Sequence, residues 1–421
     1  MNAAAGSLAW PAGVRSYPWL LIGLLWMCAF LNSSDRSLLV GVMPAIREEF
    51  GLTNTQLALP TTIFFWVYAA AVFLTSRFGD KMRRSQVIVW GLIFWSVATG
   101  LVSLSTGFAM LIGARALVAV GEATYYPSAT ALISDWHGNK TRGRALSLHQ
   151  TGVFAGALVG SVVAGVIADH WGWRASFAIF GGAGVVFSLL LFKFLRDAPH
   201  RDAERLEKAQ DEPLGVVFAI KPALILCAVF FLGTAASNGL TIWAPTFVHD
   251  KFDADLTQSA LTGAVPINLA GMLSVPLGGL LADWLASKTS IGRFYTLAIG
   301  LGAAGILLIP LVVADSMWTV SLVLLTSSIG KGLFDGCIYA AMHDVVPAKA
   351  RSTAVGVMTM CGFIGAGLAP LFVAKAGDIL GMAMAIASLA ALYFIAVAIL
   401  LSTRNMTRKA IIPHEHVAVP A

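Results

Sequence analysis

The stretch GARALVAVGEATYYPSATALISDW, residues 113–136, is apolar enough to lie within a lipid bilayer, yet it contains Arg115 and Glu122. Seven residues make about two helical turns, so both side chains lie on one helix face, roughly 10 Å apart along the axis. Charges that faced lipid would be costly. The face that carries them must therefore contact protein or water.

The rest of the chain has the composition of a membrane protein. Its 421 residues are 57% hydrophobic and 12% charged, whereas about 25% of the residues in a soluble domain are charged. The pattern predicts an all-α membrane protein with twelve transmembrane helices, each long enough to cross a bilayer. The predicted spans are 17–41, 56–76, 86–106, 108–134, 146–169, 173–195, 222–247, 258–283, 294–314, 317–342, 353–375 and 380–402.

A charged segment, RDAPHRDAERLEKAQDEP at 196–213, divides these spans six and six. The sequence therefore predicts two pseudo-symmetric six-helix bundles, at 1–195 and 222–402. A cytoplasmic linker at 196–221 is expected to join them, and a cytoplasmic tail to follow at 403–421. The first apolar run directly follows a mild N-terminal segment, so we interpret it as a retained helix and not as a cleaved signal peptide.

The distribution of basic residues predicts the orientation. Most of the 28 Lys and Arg residues lie in the loops on the side of the two termini. Cytoplasmic loops are enriched in these residues, so both termini are predicted to be cytoplasmic. In a bacterium this would be the inner membrane. Topology explains the net charge of +6 better than nucleic-acid binding does.

The sequence lacks the signals that are typical of several other classes of protein. The cysteines Cys28, Cys227, Cys337 and Cys361 lie in apolar stretches without paired spacing, which argues against a disulfide framework or a metal site. The chain has no nucleotide-binding loop and no hydrolase or metalloprotease motif. We therefore expect neither an enzyme nor an ATP-driven pump, and no cofactor or metal.

An internal repeat relates the two halves. The segments SRFGDKMRRS (76–85) and GLLADWLASK (279–288) follow spans 2 and 8, and each has an Asp in fifth place. These residues, Asp80 and Asp283, are 203 positions apart, close to half the chain. Duplicated halves around a central site are typical of secondary transporters.

Twelve spans with this loop in both halves resemble the major facilitator superfamily. The family loop is approximately G-x-L-x-D-R-x-G-R-R/K. The matching residues here are Ser76, Phe78, Asp80, Lys81 and Arg84, and Ser76 replaces the first Gly of the motif and Arg83 the second.

In the family this loop holds the two halves together on the cytoplasmic side in one conformation. The resemblance thus implies a conformational gate formed by Asp80, Arg84 and Asp283. The second half departs from the pattern, because Trp284 occupies the basic position. The alternative is that the basic residues of the loop only set the topology.

Two further segments resemble particular subfamilies. SSDRSLLVGVMPAIREEFGLT (33–53) and RALVAVGEATYYPSATALISDW (115–136) are similar to the anion:cation symporters, which transport sugar acids, aromatic acids and other organic anions. The same segments are also similar to the spinster-like transporters.

The resemblance implies that Asp35, Arg36, Arg115 and Glu122 converge in a central cavity. Arg36 and Arg115 are the candidates for binding a substrate carboxylate, since a guanidinium fork suits that group. Asp35 and Glu122 are the proton-coupling candidates, because a carboxyl in a low-dielectric cavity can exchange a proton near neutral pH. Protonation would release an arginine for the substrate. The alternative is that Asp35–Arg115 or Arg36–Glu122 is a structural ion pair.

Other polar residues within the spans complete the list of candidates. Tyr125, Asn238 and Trp243 are predicted to contact substrate, with helix–helix packing as the alternative. Lys331 and Asp335 are spaced i,i+4 and are expected to form a second ion pair on one helix face. This second pair is either structural or a substrate contact.

These features predict symport of an organic anion with protons, or with Na⁺, by alternating access. The expected substrates are sugar acids, hydroxy acids or aromatic carboxylates, and the expected state is a monomer in the lipid bilayer. The alternatives are a spinster-like proton-coupled carrier of an amphipathic, lipid-like substrate and an efflux antiporter.

Overall fold

The computed structural model describes residues 17–79, 83–138, 141–198, 214–347 and 350–410. Within these ranges twelve helical segments are long and apolar enough to cross a membrane, which confirms the predicted all-α, twelve-span fold. Spans 1 to 6 are Tyr17–Phe50, Asn54–Gly79, Arg84–Ser103, Phe108–Glu122 with Tyr125–Trp136, Arg142–Trp171 and Trp173–Phe194.

Spans 7 to 12 form the C-terminal set. They are Lys221–Phe252, Leu256–Gly263 with Val265–Ala286, Gly292–Leu308 with the 3₁₀ turn Ile309–Val313, Met317–Asp335 with Ile338–Val345, Arg351–Leu380, and Met382–Ser388 with Ala390–Ser402. Two short helices, Leu214–Ala219 and Arg404–Ala410, flank this set. Most of the predicted linker, 199–213, lies outside the described residues, and the predicted domain limits remain predictions.

Span 1 is longer than its apolar run predicts. The expected end was residue 41, but the helix continues to Phe50 and ends before Gly51, whose φ of +61° favours glycine. The added turns are charged, and they find partners on span 6: Glu49 accepts hydrogen bonds from Trp173 and Arg174. Apolar length alone therefore underestimates this helix.

Glycines bring span 5 into close contact with span 1. A Cβ atom on Gly156 would lie 2.2 Å from the carbonyl oxygen of Phe30, and one on Gly160 would lie 2.7 Å from the Cα of Ser34. Small residues spaced by four allow such an approach between membrane helices. The Ser34 hydroxyl also donates to the Gly156 carbonyl at 3.2 Å. This contact fixes the part of span 1 that immediately precedes Asp35.

Spans 4 and 10 are both interrupted directly after an acidic residue. The first helix of span 4 ends at Glu122, and the first helix of span 10 ends at Asp335. Each span resumes within three residues, at Tyr125 and Ile338. Interrupted helices near substrate sites are common in transporters with repeated halves. The two halves therefore share a break beside a carboxyl group.

An ion pair joins the two sets of spans at one end of the bundle. Arg47, at the end of span 1, donates two hydrogen bonds to Asp250, at the end of span 7, with N–O distances of 2.7 and 2.5 Å. Beside it, His249 Nε2 lies 3.6 Å from Glu48. Two parallel bonds give this contact a defined geometry. We call this end of the bundle the closed end.

Two further carboxylates cross the closed end. Asp169 of span 5 accepts hydrogen bonds from the backbone N–H groups of Leu256 and Thr257, where span 8 begins, at 3.2 and 3.0 Å. Asp378 of span 11 accepts one from the Asn54 side chain, where span 2 begins, at 3.0 Å. Each half thus presents an Asp to the helix start of the other, where a negative charge is favourable.

At the opposite end, the corresponding basic residues bind within their own halves. Arg84 at the start of span 3 pairs with Asp135 of span 4. Arg293 at the start of span 9 pairs with Asp344 of span 10 at 2.5 Å. Neither of these two equivalent ion pairs joins one half to the other.

Two of the predicted gate residues, Arg84 and Asp283, lie at this opposite end. Asp283 is 3.3 Å from Arg293, again within one half, and Arg84 has its partner on span 4. Asp80 lies outside the described residues. A gate formed by these three residues remains a prediction, which concerns the conformation in which this end closes.

We expect the Arg47–Asp250 pair to stabilise the conformation with the closed end shut. The single changes Arg47→Asp and Asp250→Arg place like charges opposite each other, which should lower exchange transport severalfold. The double change restores the pair and should restore exchange. The control is Arg174→Asp with Glu49→Arg, an ion pair with the same shortest N–O distance, 2.5 Å, that lies within one half. No rescue in the Arg47/Asp250 double variant would contradict this role.

Candidate functional site

A cavity of about 300 Å³ lies between the two sets of spans. Spans 1, 2, 4 and 5 line one side, where spans 1 and 4 contribute the predicted arginines Arg36 and Arg115, and spans 7, 10 and 11 line the other side. The wall is polar and aromatic. Its polar members are Ser33, Arg36, Ser37, Thr61, Arg115, Thr234, Asn238, Thr241, Tyr339 and Thr359, and its phenylalanines are Phe64, Phe65, Phe230 and Phe363.

Arg36 and Glu122 form an ion pair beneath the cavity surface. The Arg36 Nε atom is 2.5 Å from Glu122 Oε2, and Arg36 Nη2 donates to the Asn32 side chain at 3.1 Å. The Glu122 side chain is fully buried, while that of Arg36 is 28% exposed. Glu122 Oε1 has no hydrogen-bond partner. The Glu122 carboxylate is thus buried behind Arg36, and Arg36 itself also lines the cavity.

Asp35 has a different environment. Its Oδ2 atom accepts a hydrogen bond from the Thr99 hydroxyl at 2.7 Å, while Oδ1 has no partner. Arg115 Nη1 donates a hydrogen bond to the backbone carbonyl of Asp35, at 3.4 Å, and not to its carboxylate. Of the two ion pairs considered from the sequence, Arg36–Glu122 therefore forms, whereas Arg115 contacts the Asp35 main chain.

Arg115 is buried with few partners. Its side chain is among the largest that are fully buried, and its Nε atom has no hydrogen-bond partner. Its guanidinium carbon lies 4.8 Å from the centroid of the Phe64 ring, a cation–π geometry. Because Arg115 also lines the cavity, it places a cation with an unpartnered Nε donor in the cavity wall.

The three predicted substrate contacts lie in different places. Asn238 lines the cavity, and its amide donates to the Thr234 carbonyl one turn earlier. Trp243 is fully buried and donates to the Pro370 carbonyl at 3.0 Å. Tyr125 is also buried and donates to the Leu25 carbonyl at 2.6 Å. Neither Trp243 nor Tyr125 lines the cavity, so both pack helices together in this conformation.

The predicted second ion pair is present. Lys331 Nζ lies 2.6 Å from Asp335 Oδ1, with the i,i+4 spacing expected on one helix face. Lys331 is also 5.1 Å from the Phe334 ring centroid. Neither charged residue lines the cavity, which favours the structural interpretation in this conformation.

Sequence reasoning missed the contribution of span 2. Thr61, Phe64 and Phe65 line the cavity, and the Tyr68 ring centroid is 4.6 Å from the guanidinium carbon of Arg36. The spacing of these residues by three and four places them on one helix face, and that was the available signal. Without a partner in view, aromatic residues in an apolar span are ordinary core residues.

These features define a membrane transporter with a charged central cavity. The chain matches the family model of the Major Facilitator Superfamily over residues 25–370 and 279–419. It belongs to this superfamily, whose members are transporters and not enzymes.

The chain is similar to two curated bacterial transporters. It is 27% identical to a probable sulfoacetate transporter of Cupriavidus necator, in an alignment that covers 83% of this chain and 84% of that protein. It is 24% identical to the hexuronate transporter of Bacillus subtilis, over 86% of this chain and 89% of that protein.

A solved structure shares the fold. It is a bacterial homolog of the human lysosomal transporter Spinster, in an inward-facing and unoccupied conformation. Its TM-score is 0.83 at 18% identity, and the match covers 95% of this chain and 99% of that one.

We expect removal of Arg36 alone to be more damaging than removal of both members of its pair. Arg36→Met leaves the Glu122 carboxylate buried without its cation, which costs about 3–5 kcal/mol of unfolding free energy. The double variant Arg36→Met/Glu122→Leu should recover most of this loss. The measurement is unfolding in mixed micelles at mildly alkaline pH.

The control for this cycle is the more exposed pair Arg174–Glu49, where the same substitutions should change the unfolding free energy by about 1 kcal/mol or less. Additive losses at Arg36 and Glu122, with no recovery in the double variant, would show that the two residues are not energetically paired.

Proposed function

We propose that the chain is a proton-coupled symporter of a small organic anion that works by alternating access. The observation that carries this proposal is the contrast between the two arginines. Arg115 lines the cavity with an unpartnered donor, whereas Arg36 is held by Glu122. One cation is available to an anion at once, and the other becomes available when an acid is neutralised.

The cavity chemistry supports a small, polar substrate. A carboxylate or sulfonate would bind the Arg115 guanidinium, and hydroxyl groups of the substrate would meet Thr61, Thr234 and Asn238. The Thr61 and Thr234 hydroxyl oxygens have no hydrogen-bond partner. A cavity of about 300 Å³ suits a compact acid. The two bacterial relatives support the same class, since their names describe sulfoacetate and hexuronate transport.

Protonation of Glu122 is the proposed coupling step. A neutral carboxyl no longer holds Arg36 as an ion pair, so the guanidinium turns to the anion in the cavity. If all four groups are ionised, the two arginines and two acids carry no net charge together. A proton that enters with the anion therefore keeps the buried site near neutrality. Asp35, with its single donor Thr99, is the second coupling candidate.

Alternating access would proceed by opening the closed end while the opposite end shuts. With both termini cytoplasmic, as the basic residues predict, the closed end faces outward and this conformation is inward-facing. We assign Asp80, Arg84 and Asp283 to the contact that forms when the cytoplasmic side closes. We further propose a monomer, located in the inner membrane of a bacterial host.

The decisive experiment is uptake into proteoliposomes under an inward proton gradient. The substrates are radiolabelled sulfoacetate, D-glucuronate, a hydroxy acid, an aromatic acid and a lysophospholipid, each with and without a protonophore, and with Na⁺ replaced by K⁺. Accumulation of one anion that collapses with protonophore would support symport. Movement of the lysophospholipid alone would instead indicate the spinster-like alternative, and accumulation driven only by Na⁺ would exclude protons as the coupling ion.

We expect Glu122→Gln to separate binding from coupling. The amide resembles a permanently protonated carboxyl, so counterflow exchange should persist while proton-driven accumulation falls at least about tenfold, a coupling free energy of about 1.4 kcal/mol. Glu49→Gln is the control, since Glu49 is an exposed acid at the closed end. Full accumulation in both Glu122→Gln and Asp35→Asn would eliminate this mechanism.

A further inference from the structure

One aromatic ring contacts both arginines of the site. The Phe64 ring centroid lies 4.8 Å from the guanidinium carbon of Arg115 and 5.7 Å from that of Arg36. The ring is 1% exposed and lies in the cavity wall. Phe64 belongs to span 2, whereas the two arginines belong to spans 4 and 1. It therefore joins three helices at the charged site.

The hydrogen bonding of Arg115 is sparse for a buried cation. A guanidinium has five N–H donors, yet Arg115 makes one long contact to a backbone carbonyl, and its Nε has none. Hydrogen bonds to protein acceptors would stabilise the charge and occupy these donors. A ring face stabilises a cation electrostatically without accepting a conventional hydrogen bond. Phe64 thus stabilises the charge of Arg115 and leaves the N–H donors of Arg115 free.

The neighbouring arginine depends on the ring differently. Arg36 has an acid partner, Glu122, and a second aromatic neighbour in Tyr68, whose ring stacks near that of Phe64 with centroids 6.0 Å apart. Loss of the Phe64 ring face would leave Arg36 with both of these partners. Arg115 would keep the long carbonyl contact and the attraction of the Glu122 and Asp35 carboxylates, but it hydrogen-bonds to neither carboxylate. The effect should therefore fall mainly on Arg115.

We propose that Phe64 is a positioning residue that holds Arg115 as a charged guanidinium with free donors, and so sets the affinity for the anion. This inference rests on the proposed function. It goes beyond it by assigning the strength of anion binding to the electron-rich face of a phenylalanine that acts on the anion through the arginine.

A matched control lies one residue away. Phe65 also lines the cavity, but it stacks on Phe363 with centroids 6.0 Å apart. Among the residues that the structure describes, no guanidinium lies over its ring. A change that acts through packing should be felt at both positions, whereas a change that acts through the ring face should be felt at Phe64.

The experiment replaces Phe64, and separately Phe65, with mono-, di- and trifluorinated phenylalanine by nonsense suppression. Fluorine nearly keeps the shape of the ring but withdraws electron density from its face. The measurements on purified protein are the dissociation constants of sulfoacetate and D-glucuronate, and the Tm without ligand. At Phe64 affinity should fall stepwise to a total of about tenfold, and the Tm should fall in parallel. At Phe65, which also lines the cavity, any change in either quantity should be smaller and should not grow with the number of fluorines.

Ordinary substitutions complete the test. Phe64→Trp keeps a cation-binding ring and should retain anion affinity, whereas Phe64→Leu should lose it by at least as much as the trifluorinated ring does. No trend along the fluorine series at Phe64, or an equal trend at Phe65, would overturn the proposal.

The ligand-free Tm separates this inference from the proposed function. If the unmodified protein binds neither anion, a Tm trend confined to Phe64 would support the ring's hold on the arginine and overturn its role in anion binding. A flat Tm series in that case would overturn both.

Discussion

The cost of placing charge inside a membrane governs the arrangement of spans 1, 2 and 4. Two arginines and two acids lie there, and Glu122 is fully buried behind Arg36. A buried ion pair is a poor source of stability, because desolvation offsets much of the attraction, whereas an unpaired buried charge is strongly destabilising. The retention of such a pair beside an open cavity is better explained by function. Under the proposed function, protonation of Glu122 frees the permanently charged Arg36, so the pair links a proton to the binding of an anion.

The contacts at the closed end follow the internal symmetry. Arg47 and Asp250 are separated by 203 residues, the same spacing that separates Asp80 from Asp283. The ion pair thus joins equivalent positions of the two repeats and lies near the axis that relates them. A symmetric closure of this kind favours two discrete states over a graded opening.

Hydropathy predicted the number of spans and their type, because the apolar length of a segment is a local signal. The charged group in spans 1 and 4 was predicted by resemblance, and the structure brings Arg36 to Glu122 as one of the two expected pairings. The sequence did not reveal the closed end. Arg47 and Asp250 sit at helix ends, where charges are ordinary, and only the tertiary fold brings them together. Tyr125 and Trp243 illustrate a different limit of the sequence. A polar group within an apolar span can line a cavity or bind a neighbouring helix, and both of these side chains donate to backbone carbonyls of neighbouring helices.

The two arginines of the site differ in what neutralises them, and this difference imposes an order on the proposed cycle. If an acid held Arg115 as Glu122 holds Arg36, an entering anion would have to displace that acid before binding. The ring of Phe64 does not have to be displaced by the anion, because it leaves the N–H donors of Arg115 free. Under the proposed function the anion therefore meets Arg115 first, and protonation of Glu122 then adds Arg36 to the same site. Binding of the anion and uptake of the proton favour each other, since each reduces the charge that the other must compensate, and this mutual preference is the physical content of symport.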